Sequence, residues 1–289
     1  MLKVSILNFT EKPNYDFNDL VEIVKILRAP GGCPWDRAQT HESIRQNFIE
    51  ETYEAVEAID NSDTELLKEE LGDVLLQVAL HAEMERESGG FDIHDVCDGI
   101  CKKLIIRHPH VFGDKTAGDE NEALQNWDAV KMETKSQKTQ TEAMLSVSRA
   151  LPALMRSEKI QRKSSKVGFE WETVDGAMNK LFEEYNELKV AIEHGSDDNR
   201  CEELGDLLFS AVNVSRYLDI NSEQALYKAC DKYIRRFSMV EQLALERGID
   251  MKSAELSQLD SLWEEVKIKQ KQNNMEVFLD EKDRINRGN

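Results

Sequence analysis

The chain has 289 residues, with 37 Lys+Arg against 56 Asp+Glu and a formal net charge of −19. Such an excess of acid excludes a surface built to wrap a polynucleotide or to lie on an anionic membrane, since both need basic patches. With 14 Gly and 5 Pro the chain is too poor in turn residues for an all-β sandwich or barrel, while its 40% hydrophobic content supports a packed core.

The N-terminal MLKVSILNFTEKPNYDF lacks the long apolar run of a signal peptide. The longest apolar-rich segment, Val74–Leu80, is interrupted by Gln77 and is too short to span a bilayer. The 5 Cys (33, 97, 101, 201, 230) form no C-x-x-C pair and are expected as free thiols in a reducing cytoplasm. Gly31–Trp35 (GGCPW) reads as a loop, but the G-x-x-x-x-G-K-[ST] pattern of a P-loop is absent. Cys33 has no organised His partner that would make it a nucleophile.

A helical spacing of apolar residues then begins at Ile44, Phe48, Ala55 and Ile59, and it carries Glu50-Glu51-Thr52-Tyr53-Glu54. The polar stretch Asp60–Thr64 suits a tight helix–helix connection. A second arm follows with Glu69-Glu70-Leu71-Gly72-Asp73 and the apolar run VLLQVAL. Lys103 and Arg107 are an i, i+4 pair, His108-Pro109-His110 reads as a structural turn, and WDAVK places Trp127 one turn before Lys131. Residues 134–148 are polar with weak periodicity and read as a linker.

Beyond it the same plan returns. Ala177, Leu181, Leu188 and Ile192 have helical spacing and carry Glu183-Glu184-Tyr185-Asn186-Glu187. Gly195–Asn199 is the polar connection, and Glu202-Glu203-Leu204-Gly205-Asp206 precedes LLFSAVNV. Lys232 and Arg236 form the next i, i+4 pair, and WEEVK holds Trp263 and Lys267. Residues 270–289 have no counterpart between the copies and are expected to be a mobile tail.

All the paired acids recur at an offset of 133, and in both copies 16 positions separate the last Glu of the first motif from the second Glu of the next. So long a period is a domain duplication rather than a solenoid. The predicted architecture is all-α, with domains at 15–133 and 149–269. Each is built on an antiparallel helix hairpin that packs into a helical bundle.

A lone E-E-x-x-E run is ordinarily a solvated helix face. Helix geometry argues otherwise here: with Ile44 as origin Glu51 lies at about −20°, inside the apolar stripe, and Glu184 takes the same place relative to Ala177. Glu54 and Glu187 fall at the stripe's edge, at about −80°, and Glu50 and Glu183 farther out. Glu70 and Asp73 share a face, ahead of a segment apolar nearly all round that predicts a buried helix. Four interior carboxylates repel one another and are costly to desolvate, and a hard divalent cation resolves both problems. None of the 6 His has a Glu three positions before it, so the Glu-x-x-His of di-iron bundles is absent; all-carboxylate ligation favours Mg²⁺ or Mn²⁺. The basic pairs suit phosphate and the Trp residues suit base stacking, although ordinary surface basics and core Trp carry the same spacing.

With these flanks the chain resembles the MazG family of nucleoside triphosphate pyrophosphohydrolases over about residues 17–268. The resemblance rests on LRAPGGCPWDRAQTHESIRQNFIEETYEAVEAI, EELGDVLLQVALHAEM, RHPHVFGD, KVGFEW, LFEEYNEL and EELGDLLF. It implies that Glu184, Glu187, Glu203 and Asp206 hold Mg²⁺ against a triphosphate, with Mn²⁺ as substitute and Glu51, Glu54, Glu70 and Asp73 as the copy-one equivalents. It implies nucleotide contacts from Lys180, Glu183, Arg200, Lys232, Arg236, Trp263 and Lys267. The implied reaction is water cleavage to a nucleoside monophosphate and pyrophosphate, catalysed by the C-terminal copy. One carboxylate would activate the water, and Lys232 and Arg236 would stabilise the departing pyrophosphate. The N-terminal copy keeps all four acids, so its own activity stays open. A nucleotide-sensing or scaffolding module that binds without turnover is the alternative. Hairpins this small bury little alone, so the copies are expected to pair, within a chain or across a homodimer.

Overall fold

The computed structural model describes residues 9–287 except 115, 117, 120, 121, 124–126, 128, 129 and 131–138, with side chains described as far as 272. Among them lie twelve helices and no strand. The chain divides into two compact units, Met1–Ser136 and Gln137–Asn289.

The first unit contains α1 (Phe17–Arg28), α2 (Pro34–Ala38), α3 (Arg45–Asp60), α4 (Thr64–Ser88), α5 (Ile93–Arg107) and α6 (Pro109–Phe112). Local chemistry sets several of the ends. Asp16 caps α1 by accepting from the Asn18 and Asp19 N–H groups, and Asp19 returns the bond in a capping box. Asp63 caps α4 by accepting from the Leu66 N–H. Gly89 ends α4 at φ 82, a left-handed position that glycine takes without strain. Helices α3 and α4 form the antiparallel hairpin, and α1 packs on α4. Val24, Ile44, Ala79, Leu80 and Met84 make the core, with Leu20 and Leu76 against it.

The second unit contains α7 (Gln140–Leu145), α8 (Ala153–Ser165), α9 (Val174–His194), α10 (Asp197–Tyr217), α11 (Ser222–Glu246) and α12 (Leu256–Arg287). Its hairpin is α9–α10, with α8 packed on α10, and α11 pairs with α12. Gln161 of α8 donates from Nε2 to the Phe209 carbonyl of α10 at 2.7 Å. Val240, Leu243, Ala244, Leu262 and Val266 form a separate core between α11 and α12.

Three sequence expectations meet a different outcome. Residues 139–148, read as linker, hold α7, which Thr139 starts with a capping box and which packs on α8; Ala143 and Val147 are buried. The rest of that segment, 134–138, lies outside the described residues, as does Lys131. The tail boundary at 270 is crossed by α12, whose backbone runs helical to Arg287. The second arms are not buried all round. Leu71 and Leu75 on α4, and Leu204, Leu208 and Phe209 on α10, are exposed because each arm meets its hairpin partner on one side only.

Candidate metal centre

The inward seam of α3 is Ile44, Phe48, Glu51, Ala55 and Ala58, spaced i, i+4, i+7, i+11, i+14, and Ile44, Ala55 and Ala58 are buried. On α9 the seam is Ala177, Leu181, Glu184, Leu188 and Ala191, the same positions displaced by 133. Ile59 and Ile192, included in the sequence-derived stripe, stand 58% and 59% exposed. They lie one step past the seam, where the hairpin partner no longer covers them. Alanines at the seam let the arms approach closely, and that approach brings the acids of one arm against those of the other.

In the first unit one carboxylate oxygen from each of Glu51, Glu70 and Asp73 lies within 4.8 Å of the others. Glu54 adjoins them in hydrogen-bond contact with Glu51 and Glu70. Burial pushes the Glu51 carboxyl above the usual carboxylate range, and the charges of Asp73, Glu54 and Glu70 add to it. Glu70 is raised by burial, then by Glu54 and Asp73. Among the described residues no Lys or Arg pairs with any of these four acids.

In the second unit the converging carboxylates are Glu184, Glu187 and Glu203. Glu184 is 5% exposed. Asp206, one turn beyond Glu203, is exposed and stands outside the group. Glu187 is raised by burial first and then by its hydrogen bond to Glu184. Here a cation is already present: Lys180 Nζ is 2.7 Å from Glu183 Oε1 and 2.7 Å from Glu184 Oε1. Those hydrogen bonds raise the Lys180 ammonium well above its ordinary value. The position 133 residues earlier is Asn47, so the first copy has no such lysine. Subtracting the repeat offset at position 180 exposes this difference in the sequence itself.

The remaining predicted contacts lie elsewhere. Arg200 donates to the Ala191 carbonyl at 3.3 Å and to Asp197 at 2.8 Å, which closes the C-terminal end of α9. Lys232 and Arg236 are on α11, and Arg236 Nε donates to Gln270 Oε1 at 2.9 Å. Trp263 packs on the α11–α12 core with its ring 5.0 Å from that of Tyr233, and Lys267 pairs with Glu264. In the first unit the Arg107 guanidinium sits 5.2 Å over the Trp127 ring.

Oxygen donors on two helices, crowded and partly desolvated without enough positive charge, are the donor set of a hard cation. Thiolate and imidazole are absent from both groups, which disfavours zinc and copper.

Comparison with known proteins agrees with this geometry. Residues 39–112 and 172–240 each match the MazG nucleotide pyrophosphohydrolase domain. The chain is 42% identical over 251 residues to the nucleoside triphosphate pyrophosphohydrolase of Escherichia coli strain K12, covering 86% of this chain and 95% of that one. It is 43% identical over 252 residues to the nucleoside triphosphate pyrophosphohydrolase/pyrophosphatase MazG of Thermotoga maritima, covering 87% and 95%. To the uncharacterized protein YabN of Bacillus subtilis it is 44% identical over 256 residues, covering 88% of this chain and 52% of that one. Two hairpins with matched acids, each inside a matched domain, place this chain in the MazG nucleotide pyrophosphohydrolase family, with the family domain present twice.

Proposed function

We propose that the chain hydrolyses nucleoside triphosphates to the monophosphate and pyrophosphate, in nucleotide-pool housekeeping, with the second unit as the catalytic copy. The observation that carries this reading is the Lys180–Glu184 contact inside a converging acid group. Glu184, Glu187, Glu203 and Asp206 would hold Mg²⁺, or Mn²⁺ in its place, which would supply positive charge to offset that of the phosphates. Lys180 would leave Glu184 and take up a phosphate oxygen as a point charge; its contact with Glu184 supports this role. A carboxylate of the group orients the attacking water and accepts its proton. Lys232 and Arg236 serve the departing pyrophosphate, Glu183 and Arg200 border the nucleotide, and Trp263 with Lys267 receives the base.

The first unit supports the second reading, binding without turnover. It keeps Glu51, Glu54, Glu70 and Asp73 but has Asn47 in place of the lysine. We read it as a cation-holding copy. The exposed apolar rows on α4 and α10 support pairing of copies in a homodimer, which sedimentation tests; a monomer at micromolar concentration refutes it. Five free cysteines fit a reducing cytoplasm, and among the described residues no helix is long and apolar enough to cross a membrane.

The test is direct. Purified protein with Mg²⁺ should release pyrophosphate rather than orthophosphate from a panel of nucleoside triphosphates. Glu184→Ala should abolish the release and Glu51→Ala should leave it. Release lost in Glu51→Ala alone would move catalysis to the first copy, and release lost in neither would refute the metal assignment.

A further inference from the structure

His41 lies in the turn between α2 and α3, and His81 lies on α4. Their Nδ1 atoms are 2.7 Å apart. The rings are parallel within 2°, with centroids 5.0 Å apart. Taking one ring radius from each end of that centroid line leaves the nitrogen contact. Both Nδ1 atoms therefore lie on the line, and the rings meet edge to edge in one plane rather than face to face. An in-line contact of this length holds a single proton. With none, two lone pairs oppose each other; with two, two N–H groups collide.

The outer nitrogen of His41 determines which ring donates. Its Nε2 is 3.1 Å from Glu85 Oε1, so Nε2 carries a proton. In the neutral pair, His41 Nδ1 is then the acceptor and His81 Nδ1–H donates. One added proton makes His41 an imidazolium that donates to Glu85 and to His81, and His81 moves its own proton to Nε2. A second added proton has no position in this arrangement.

The surroundings do not relieve that exclusion. Phe48 of α3 covers His81, with ring centroids 5.6 Å apart. Burial and the nearby His41 charge hold the His81 proton affinity below that of an ordinary histidine. Glu42 lies beside His41 in the turn. From α1, Arg28 is engaged with Glu87 and with the carbonyls of Asp36 and Gln39. On α4, Glu83 is held by Arg86. On the α5 side, Asp92 is occupied by the His94 and Asp95 N–H groups of its own helix. Among the described residues, Glu85 is the carboxylate in hydrogen-bond contact with the pair.

We propose that His41 and His81 form an acid-opened clasp, which fastens the 39–44 turn to α4 in its neutral and singly charged states and releases it on taking a second proton. The turn ends in Ile44, which is 2% exposed and belongs to the first unit's core, so release loosens the start of α3. The second unit has valines, Val174 and Val214, at the two corresponding positions, so the device belongs to the first unit alone.

Nitrogen-15 NMR of the full chain, labelled at histidine, tests the pair without mutation. At neutral pH one imidazole should be the Nδ1–H tautomer and its partner the Nε2–H tautomer. The open turn binds one proton more than the clasped singly charged pair. Amide protection at residues 39–44 should therefore fall as the pH is lowered, by about tenfold per pH unit at the acid limit, while protection at 172–177 stays level. His81→Phe and His41→Asn should each abolish that pH dependence. Two Nε2–H tautomers at neutral pH, two independent titrations at the ordinary histidine value, or the same slope in both variants would overturn the clasp.

Discussion

Lys180→Met separates cation binding from turnover in the second unit, because its effects on the two have opposite sign. The substitution keeps most of the aliphatic stem and removes the ammonium that sits 2.7 Å from Glu183 and 2.7 Å from Glu184. Each contact is a charge-assisted hydrogen bond, worth about 1.5–3 kcal/mol when sheltered. The Lys180 side chain is 36% exposed, which draws the pair toward the surface value of about 1 kcal/mol. About 1.5 kcal/mol for both contacts corresponds to roughly a tenfold change in an equilibrium constant. A divalent cation entering the Glu184–Glu187–Glu203 group has to displace this ammonium. Without nucleotide, Mn²⁺ should therefore bind the second unit about tenfold more tightly in Lys180→Met, while pyrophosphate release falls because the triphosphate loses a cationic contact. Electron paramagnetic resonance titration of free Mn²⁺ measures the first effect, in a background of Glu51→Gln and Asp73→Asn that silences the first copy. The reciprocal Asn47→Lys should weaken Mn²⁺ binding to the first copy by a similar factor. Weaker Mn²⁺ binding in Lys180→Met would refute the competition argument, and so would no change.

The raised Glu51 and Glu70 carboxyls bind protons more tightly folded than unfolded, so metal-free stability of the first unit should fall as pH rises through and above the ordinary carboxylate range, and Mg²⁺ should restore it; thermal melts at several pH values with and without Mg²⁺ check both signs. Ala58, 1% exposed at the α3–α4 seam, has no room for a larger side chain, and Ala58→Leu should cost about 1–3 kcal/mol by overpacking and separate the acid-bearing arms, read as a lower melting temperature and weaker Mn²⁺ binding. Gly89→Ala meets no atom within 4 Å, so its cost should be the left-handed backbone alone, about 1–2 kcal/mol in a denaturant titration, with Gly89→Asn milder.

The hairpins and their acids were legible because two signals coincide in this sequence. A helical apolar period identifies each first arm, and the offset of 133 repeats it with the carboxylates in phase. Glu51 and Glu184 could be placed at a seam from angle alone because the partners that define the angle, Ile44 and Ala177, are in fact buried. Ile59 and Ile192 misled because hydrophobicity marks what prefers burial, not what a neighbouring arm reaches. Helix α7 was hidden by its composition: its helical period is short, and the Thr139 capping box and the packing of Ala143 on α8 become decisive only once α8 is in place. Asp206 reads with Glu203 because i, i+3 shares a face; of the four acids so read in the second unit, Glu184, Glu187 and Glu203 converge and Asp206 stands apart from them. The His41–His81 contact left no sequence signal, since 40 positions separate the two residues and no local period joins them.

The duplication explains why one repeat can hold the same acids in two electrostatic states. A largely apolar seam at the same five positions fixes how close the arms come in both copies, so the crowding of carboxylates is inherited by both. Relief of that crowding is not inherited, because it depends on position 47 or 180, which faces the acids from one turn away on the same helix and takes no part in the seam. That position can change from Asn to Lys without disturbing the fold. With Lys, part of the repulsion is met by the chain, and on the proposed function the group binds a cation weakly until an anionic ligand draws the ammonium away. With Asn, the repulsion stays, and on the same proposal the group takes a cation whether or not a phosphate accompanies it. On the proposed function, coupling of cation binding to nucleotide thus belongs to the copy with the lysine, and the equivalent acids in the other copy do not confer it.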